Sequence, residues 1–158
     1  MNPDTGFVVG LLRPEDVALA YPLVRTAYPA MARGTWMRLA RRAMRTGPHG
    51  RQGILVARHG PACRPCGLIS FRCDPDMRHG RVLTAEHFVA LTFGEVGSVL
   101  EAFLPALENM ACKAGCGGAR VILPGDQPAL LARLATRGRD MTHPMSFRTL
   151  IEISQNMA

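Results

Sequence analysis

A chain of 158 residues suits one ordinary hydrophobic core, and its 47% apolar and 20% charged residues exclude a disordered segment. No run approaches the roughly 18 to 20 apolar residues that a spanning helix needs, so neither a membrane span nor a membrane partner is expected. The formal charge is +7, carried by arginine except for Lys113; it allows an anionic partner, but no zinc-finger or RRM-type signature points to nucleic acid.

The opening MNPDTGFVVGLLRPED lacks a cationic region followed by a long apolar one, which argues against a secretory signal and for a cytoplasmic protein. Phe7 to Leu12 is a short apolar run and reads as a strand. Pro14 then suits a first helical turn, and Glu15 and Asp16 complement the helix dipole. Val17, Ala20, Tyr21, Val24, Ala27 and Tyr28 recur at helical spacing, with Pro22 expected to kink or split the helix. A second helix is expected over 30–45. In it Trp36, Leu39, Ala40 and Ala43 form the apolar face, and Arg38, Arg41, Arg42 and Arg45 lie mostly off it, as a solvated face does.

GILVAR (53–58) and CGLISFRC (66–73) read as a strand pair around the turn-like HGPACRP. After DPDMRHG, the alternation of Leu83, Ala85, His87, Val89, Leu91 and Phe93 favours a strand over 82–93 against a helix starting at Thr84. Then comes TFGEVGSVLEAFLPALENMACKAG. Leu100, Phe103, Leu104, Leu107, Met110, Ala111 and Ala114 mark one helical face, Pro105 should bend the helix, and Gly115 and Gly117 end it. Ser98-Val99-Leu100-Glu101 reads as a capping box. A strand over 119–123, a helix capped by Asp126 and ending near Gly138, and a last strand over 146–153 complete the chain. The order is β-α-α-β-β-β-α-β-α-β: one α/β domain over 1–158, with a mixed, mostly antiparallel sheet and helices on both faces.

This order, with a glycine-bearing loop opening the helix after the fourth strand, resembles the GNAT superfamily of acetyl-CoA-dependent N-acetyltransferases across essentially the whole chain. The family's Arg/Gln-x-x-Gly-x-Gly/Ala motif falls on Gly94-Glu95-Val96-Gly97-Ser98-Val99, where Gly97 matches and Gly94 and Val99 depart from it. Asp126-Gln127-Pro128-Ala129 occupies the place of an Asn-x-x-Ala helix start, and Leu134 and Arg139 replace the family's usual tyrosine and phenylalanine. The resemblance implies acetyl-CoA as co-substrate, held by main-chain groups around Ala90, Leu91 and Thr92 and by Gly94, Glu95, Val96, Gly97, Ser98 and Val99. A helix N-terminus with a glycine suits a pyrophosphate, although Glu95 and a self-satisfied capping box oppose it.

The resemblance also implies a carboxylate base on the fourth strand, and Glu86 is the only acid there. Strict alternation puts Glu86 with Thr84, Phe88 and Ala90, an apolar setting that suits a base; a strand-end residue in water is the plainer reading. The same alternation sends His87 to the opposite face, as a core histidine. Tyr28, Arg33 and Trp36 lie where the family lines its acceptor site, though core packing is the plainer reading of Tyr21 and Tyr28, and His143 reads as a loop residue.

Five cysteines without a signal do not suggest a disulfide framework. Cys63-x-x-Cys66 has metal-type spacing, but the strand that starts at Cys66 runs away from the turn while Cys112 and Cys116 end the long helix. The two pairs should lie at opposite ends of the sheet, so no metal is expected; Cys73, Cys112 and Cys116 read as small hydrophobes. Two functions remain open. One is an N-acetyltransferase moving acetyl to a primary amine of a small molecule or peptide, with a homodimer allowed. The other is a catalytically impaired GNAT-like domain acting as an acyl-CoA sensor or protein-interaction module.

Overall fold

The computed structural model describes residues 6–45, 51–91, 96–124 and 148–154. The helix expected over 126–138, with Leu134 and Arg139, lies outside the described residues, as do Thr92, Gly94, Glu95 and His143.

The elements are β1 (Val8–Leu11), α1 (Asp16–Ala27), α2 (Arg33–Met44), β2 (Gln52–Arg58), β3 (Gly67–Asp76), β4 (Gly80–Ala90), α3 (Val96–Lys113), β5 (Gly118–Pro124) and β6 (Arg148–Ser154). They build a six-stranded sheet in the order β1-β2-β3-β4-β5-β6. The first three pairings are antiparallel and the last two parallel. The sheet is therefore mixed and mostly antiparallel, as the element order implies.

Each face carries its own core. Under α3 lie Phe7, Leu55, Ile69, Phe71, Leu83 and Ala85, packed on Val99, Leu100, Phe103 and Leu107. Under α1 and α2 lie Ile54, Val56 and Leu68, packed on Val17, Val24, Trp36 and Ala40. Alternation along β2 explains the split: Leu55 and Ala57 serve one cluster, Ile54 and Val56 the other.

Neither proline breaks its helix. α1 runs unbroken through Pro22, which is exposed, and Thr26 donates its hydroxyl to the Pro22 carbonyl at 2.9 Å. Pro105 is likewise exposed within α3. An exposed position leaves the carbonyl freed by a proline to water, so packing on the other face holds the helix together. Two expectations are corrected. α3 opens at Val96, so Ser98 lies inside its first turn and cannot be the cap. Leu39 is 47% exposed instead of packed, because α2 presents it to an open cavity.

Asp16 anchors α1 to the sheet. It is buried and ion-paired with buried Arg58 at the end of β2, and its Oδ2 also accepts from the Arg13 main chain (3.3 Å) and Nε (3.0 Å). Burial opposes its ionisation, but the Arg13 and Arg58 hydrogen bonds outweigh that and hold the carboxyl below its ordinary value. At the far end of α3, Gly115 adopts φ +66° and Cys116 N–H returns to the Ala111 carbonyl at 2.9 Å, so glycine ends the helix as its position predicts.

Candidate functional site

The site begins with an irregularity in β4. Leu68 faces Val89 and Ser70 faces Glu86, so His87 and Phe88 together oppose the single Ile69. His87 takes φ +58°, a left-handed conformation that histidine tolerates better than most residues. This is a β-bulge, and it resets the alternation. Glu86 and His87 consequently line one cavity, while Phe88 turns to the α3 face and meets Phe103 edge-on at 6.2 Å. Ala90 also joins the α3 core. Strict alternation placed His87 opposite Glu86 and put Phe88 and Ala90 beside it; the extra residue overturns both expectations. His87 is not a core histidine, for its side chain is 56% exposed.

The cavity measures about 500 Å³ and lies between α1, α2 and the middle of the sheet. Trp36, Leu39, Ile54 and Leu68 form apolar walls, and Tyr28, Ser70, Arg72, Glu86 and His87 supply the polar groups. Glu86 pairs with Arg72, which also holds Asp74 at 3.0 Å. The Ser70 hydroxyl donates to the Glu86 carbonyl at 2.9 Å and lies 2.9 Å from His87 Nδ1. A serine has one proton and a carbonyl can only accept. Nδ1–H must therefore donate to Ser70, which leaves Nε2 of neutral His87 as an open acceptor.

Tyr28 caps α1 and is 37% exposed, so it is a cavity residue and not core. Its ring meets His87 edge-on at 6.0 Å. Partial burial, and then the Glu86 charge, push its phenol above the ordinary value, so it remains a proton-bearing group at neutral pH. Trp36 is 4% exposed and donates Nε1–H to the Val17 carbonyl at 2.7 Å; it lines the cavity as a fixed wall. Arg33 is exposed at the start of α2 and does not line the cavity.

Beyond the bulge, β4 leaves β5. The two strands pair only from Val82/Gly118 to Ala85/Val121, although β4 continues to Ala90 and β5 to Pro124. Leu91 donates its N–H to the Cys66 carbonyl at 2.9 Å, so that amide is committed to the β3 side. Alternation turns the polar groups of Ala90 to the other edge, into the gap. The first turn of α3 sits over this end of the sheet, where a Cβ on Gly67 would come within 2.5 Å of Val99 Cγ1. Val99 is fully buried and seats the helix, while Val96, Gly97 and Ser98 are half-exposed at its start.

The cysteines occupy both ends of the sheet, as their spacing implies. Cys66 directs its thiol to the Ala57 carbonyl at 3.3 Å, near the Leu91 end of β4. Cys116 is buried beside Cys73 at the other end, and burial, then the Cys73 thiol, push it up to about 12. Cys112 is exposed, which corrects its reading as a small hydrophobe: it falls on the outer face of the last turn of α3. Among the described residues, no cluster of three histidine, cysteine or acidic side chains could hold a metal, and no helix is long and apolar enough to cross a membrane.

No protein-family model and no curated protein sequence matches the chain. Its structure, however, is similar to those of acetyltransferases. An acetyltransferase from Trypanosoma brucei superposes with a TM-score of 0.62 at 17% identity, covering 81% of this chain and 90% of that one. The aminoglycoside acetyltransferase AAC(6')-Iy, solved with a CoA-S-monomethyl-acetylneamine bisubstrate analogue, superposes at 0.68 with 8% identity, covering 96% and 97%. A transcriptional regulator from Bacillus halodurans C-125 superposes at 0.69 with 12% identity, covering 87% and 95%.

Proposed function

We propose that this chain, which has the GNAT acetyltransferase fold, is an N-acetyltransferase that uses acetyl-CoA to acylate a primary amine bound in the cavity beside the β4 bulge. The observation that carries this reading is the parting of β4 from β5 after Ala85 and Val121, beside the first turn of α3. A gap between strands exposes main-chain donors, and a helix N-terminus favours an anion. The groups present suit CoA: Val96, Gly97 and Ser98 would meet its pyrophosphate, and the edge of Ala90 would meet its acyl end. When bound, acetyl-CoA supplies an activated acetyl group.

The chain's own residues supply the rest. Glu86 attracts the acceptor ammonium and takes its proton, directly or through water. His87 Nε2 stands beside it as a second acceptor, oriented by Ser70. Trp36 and Leu68 exclude water from the acceptor's apolar part, which strengthens these polar contacts. Tyr28 keeps its proton and can return one to a leaving group.

One observation favours a second reading, an acyl-CoA sensor without turnover: Arg72 already occupies the Glu86 carboxylate. A single titration separates the two. Acetyl-CoA at a hundred times its Kd adds about 2.7 kcal/mol of stability, or roughly 5–10 °C in Tm for a domain of this size. No shift at millimolar acetyl-CoA refutes both readings. A shift without thiol release across an amine panel refutes the transferase.

A further inference from the structure

The outer face of α2 is unusually one-sided. Arg38, Arg41, Arg42 and Arg45 follow the i, i+3, i+4, i+7 pattern, so they form one stripe about 10 Å long at 1.5 Å per residue. All four are exposed, and none joins an ion pair among the described residues. Residues 33–45 contain no acid. The stripe therefore holds like charges at every i,i+3 and i,i+4 spacing, each pair opposing the helix that bears it. A local violation uncompensated among the described residues points to a ligand that supplies the missing charge.

The stripe is continuous with the candidate acceptor site. Arg42 lines both the surface groove of the four arginines and the cavity that contains Glu86. From the cavity outward, the order is a carboxylate, apolar walls with half-exposed Leu39, then a row of guanidinium groups. We propose, resting on the transferase reading, that the acceptor is the α-amine of a peptide with an apolar first side chain followed by acidic residues. The ammonium meets Glu86, the first side chain fills the space between Trp36, Leu39 and Leu68, and the following carboxylates run along the stripe. An extended peptide advances about 3.3 Å per residue, so three residues span its length. Guanidinium forks bind carboxylates bidentately, which lysines would not. A single-stranded nucleic acid fits less well, because among the described residues no aromatic side chain lines the stripe's groove for stacking: Trp36, the one aromatic of α2, is buried and bonded to Val17.

The test uses the full chain and three peptides that share an N-terminal leucine and differ in residues 2–4, which are all acidic, all amide or all basic. Thiol release with acetyl-CoA reads kcat/KM, and anisotropy of the C-terminally labelled peptides, without acetyl-CoA, reads binding. We expect the acidic peptide to exceed the amide peptide by about tenfold at low salt in both measurements, the advantage shrinking as ionic strength rises. In the R38E/R41E/R45E variant, with its fold checked by thermal melting, the acidic-to-amide ratio should fall to one or below. Equal kcat/KM for acidic and amide peptides overturns the inference and leaves the transferase standing. An acidic preference in anisotropy without acetylation of any peptide overturns the transferase and keeps the peptide groove. A single-stranded oligonucleotide that displaces the acidic peptide and binds more tightly overturns the peptide in favour of nucleic acid.

Discussion

Gly67→Ala tests how α3 is seated over the gap. The new Cβ would lie 2.5 Å from Val99 Cγ1, 3.3 Å from Phe103 Cε2 and 3.4 Å from Ala57 Cβ. Carbon atoms prefer about 3.5–4.0 Å, so the overlap with Val99 is about 1 Å. Val99 cannot swing away, because a β-branched side chain in a helix has one good rotamer and this one is fully buried. Overpacking of this kind costs about 1–3 kcal/mol, against a gain of roughly 0.4–1 kcal/mol from a less flexible unfolded chain. The clash wins, and the net loss should be about 1–2 kcal/mol, or roughly 2–8 °C in Tm. Val99→Ala alone removes two methyl groups and should lose about 1.6 kcal/mol or more, at about 0.8 kcal/mol per group. The double variant relieves the clash, so its loss should fall short of the sum by about 1 kcal/mol. Urea melts of the four proteins at constant m measure this. Acetyl-CoA should also stabilise Gly67→Ala less than the parent, because the displaced turn carries Val96 and Gly97. Additivity within about 0.5 kcal/mol, or an unchanged Gly67→Ala protein, refutes the seating.

Asp16→Ala strands Arg58 in the core and should cost about 3–5 kcal/mol in a urea melt; Asp16→Leu with Arg58→Met should recover most of it, and an Asp16→Ala protein of parental stability refutes the buried pair. The Asp16 carboxyl titrates lower in the native than in the unfolded chain, so its stabilisation is complete above the ordinary value of 3.8 and is lost as pH falls through the native one; urea midpoints that do not drop on acidification count against this. Glu86→Gln should lower kcat about 10²–10⁴-fold and leave the acetyl-CoA thermal shift in place, whereas unchanged turnover removes Glu86 as the base. Cys116 keeps its proton natively up to about 12 while the unfolded thiol loses it near 9.0, so stability should decline as pH rises between them. Native iodoacetamide labelling followed by mass spectrometry should modify Cys63 and Cys112 and spare Cys116; equal labelling of all three refutes the protection.

The elements over the described residues follow from local chemistry, and the chain spells them out. A continuous apolar run marks β2, hydrophobic alternation marks β4, helical spacing marks α1 and α3, and Gly115 stops α3 where a left-handed residue was expected. The order of the elements was enough to suggest the GNAT fold, because parallel and antiparallel pairings follow from which strands are joined by helices. Glu86 and Tyr28 were identifiable as site candidates, and the cavity brings them together. His87 was misplaced. Nothing in LTAEHFVAL announces a bulge, since alternation reads equally well with or without one extra residue; only its register against Ser70 and Leu68 reveals which face each side chain takes.

Period, caps and breakers act over a few residues, so strands, helices and their sequence along the chain are encoded locally. The bulge at His87, the departure of β4 from β5 after Ala85, the seat of Val99 on Gly67 and the shared boundary at Arg42 each join residues far apart in the chain. Their positions depend on register and packing across the sheet, which no local preference specifies, and the candidate chemistry resides there.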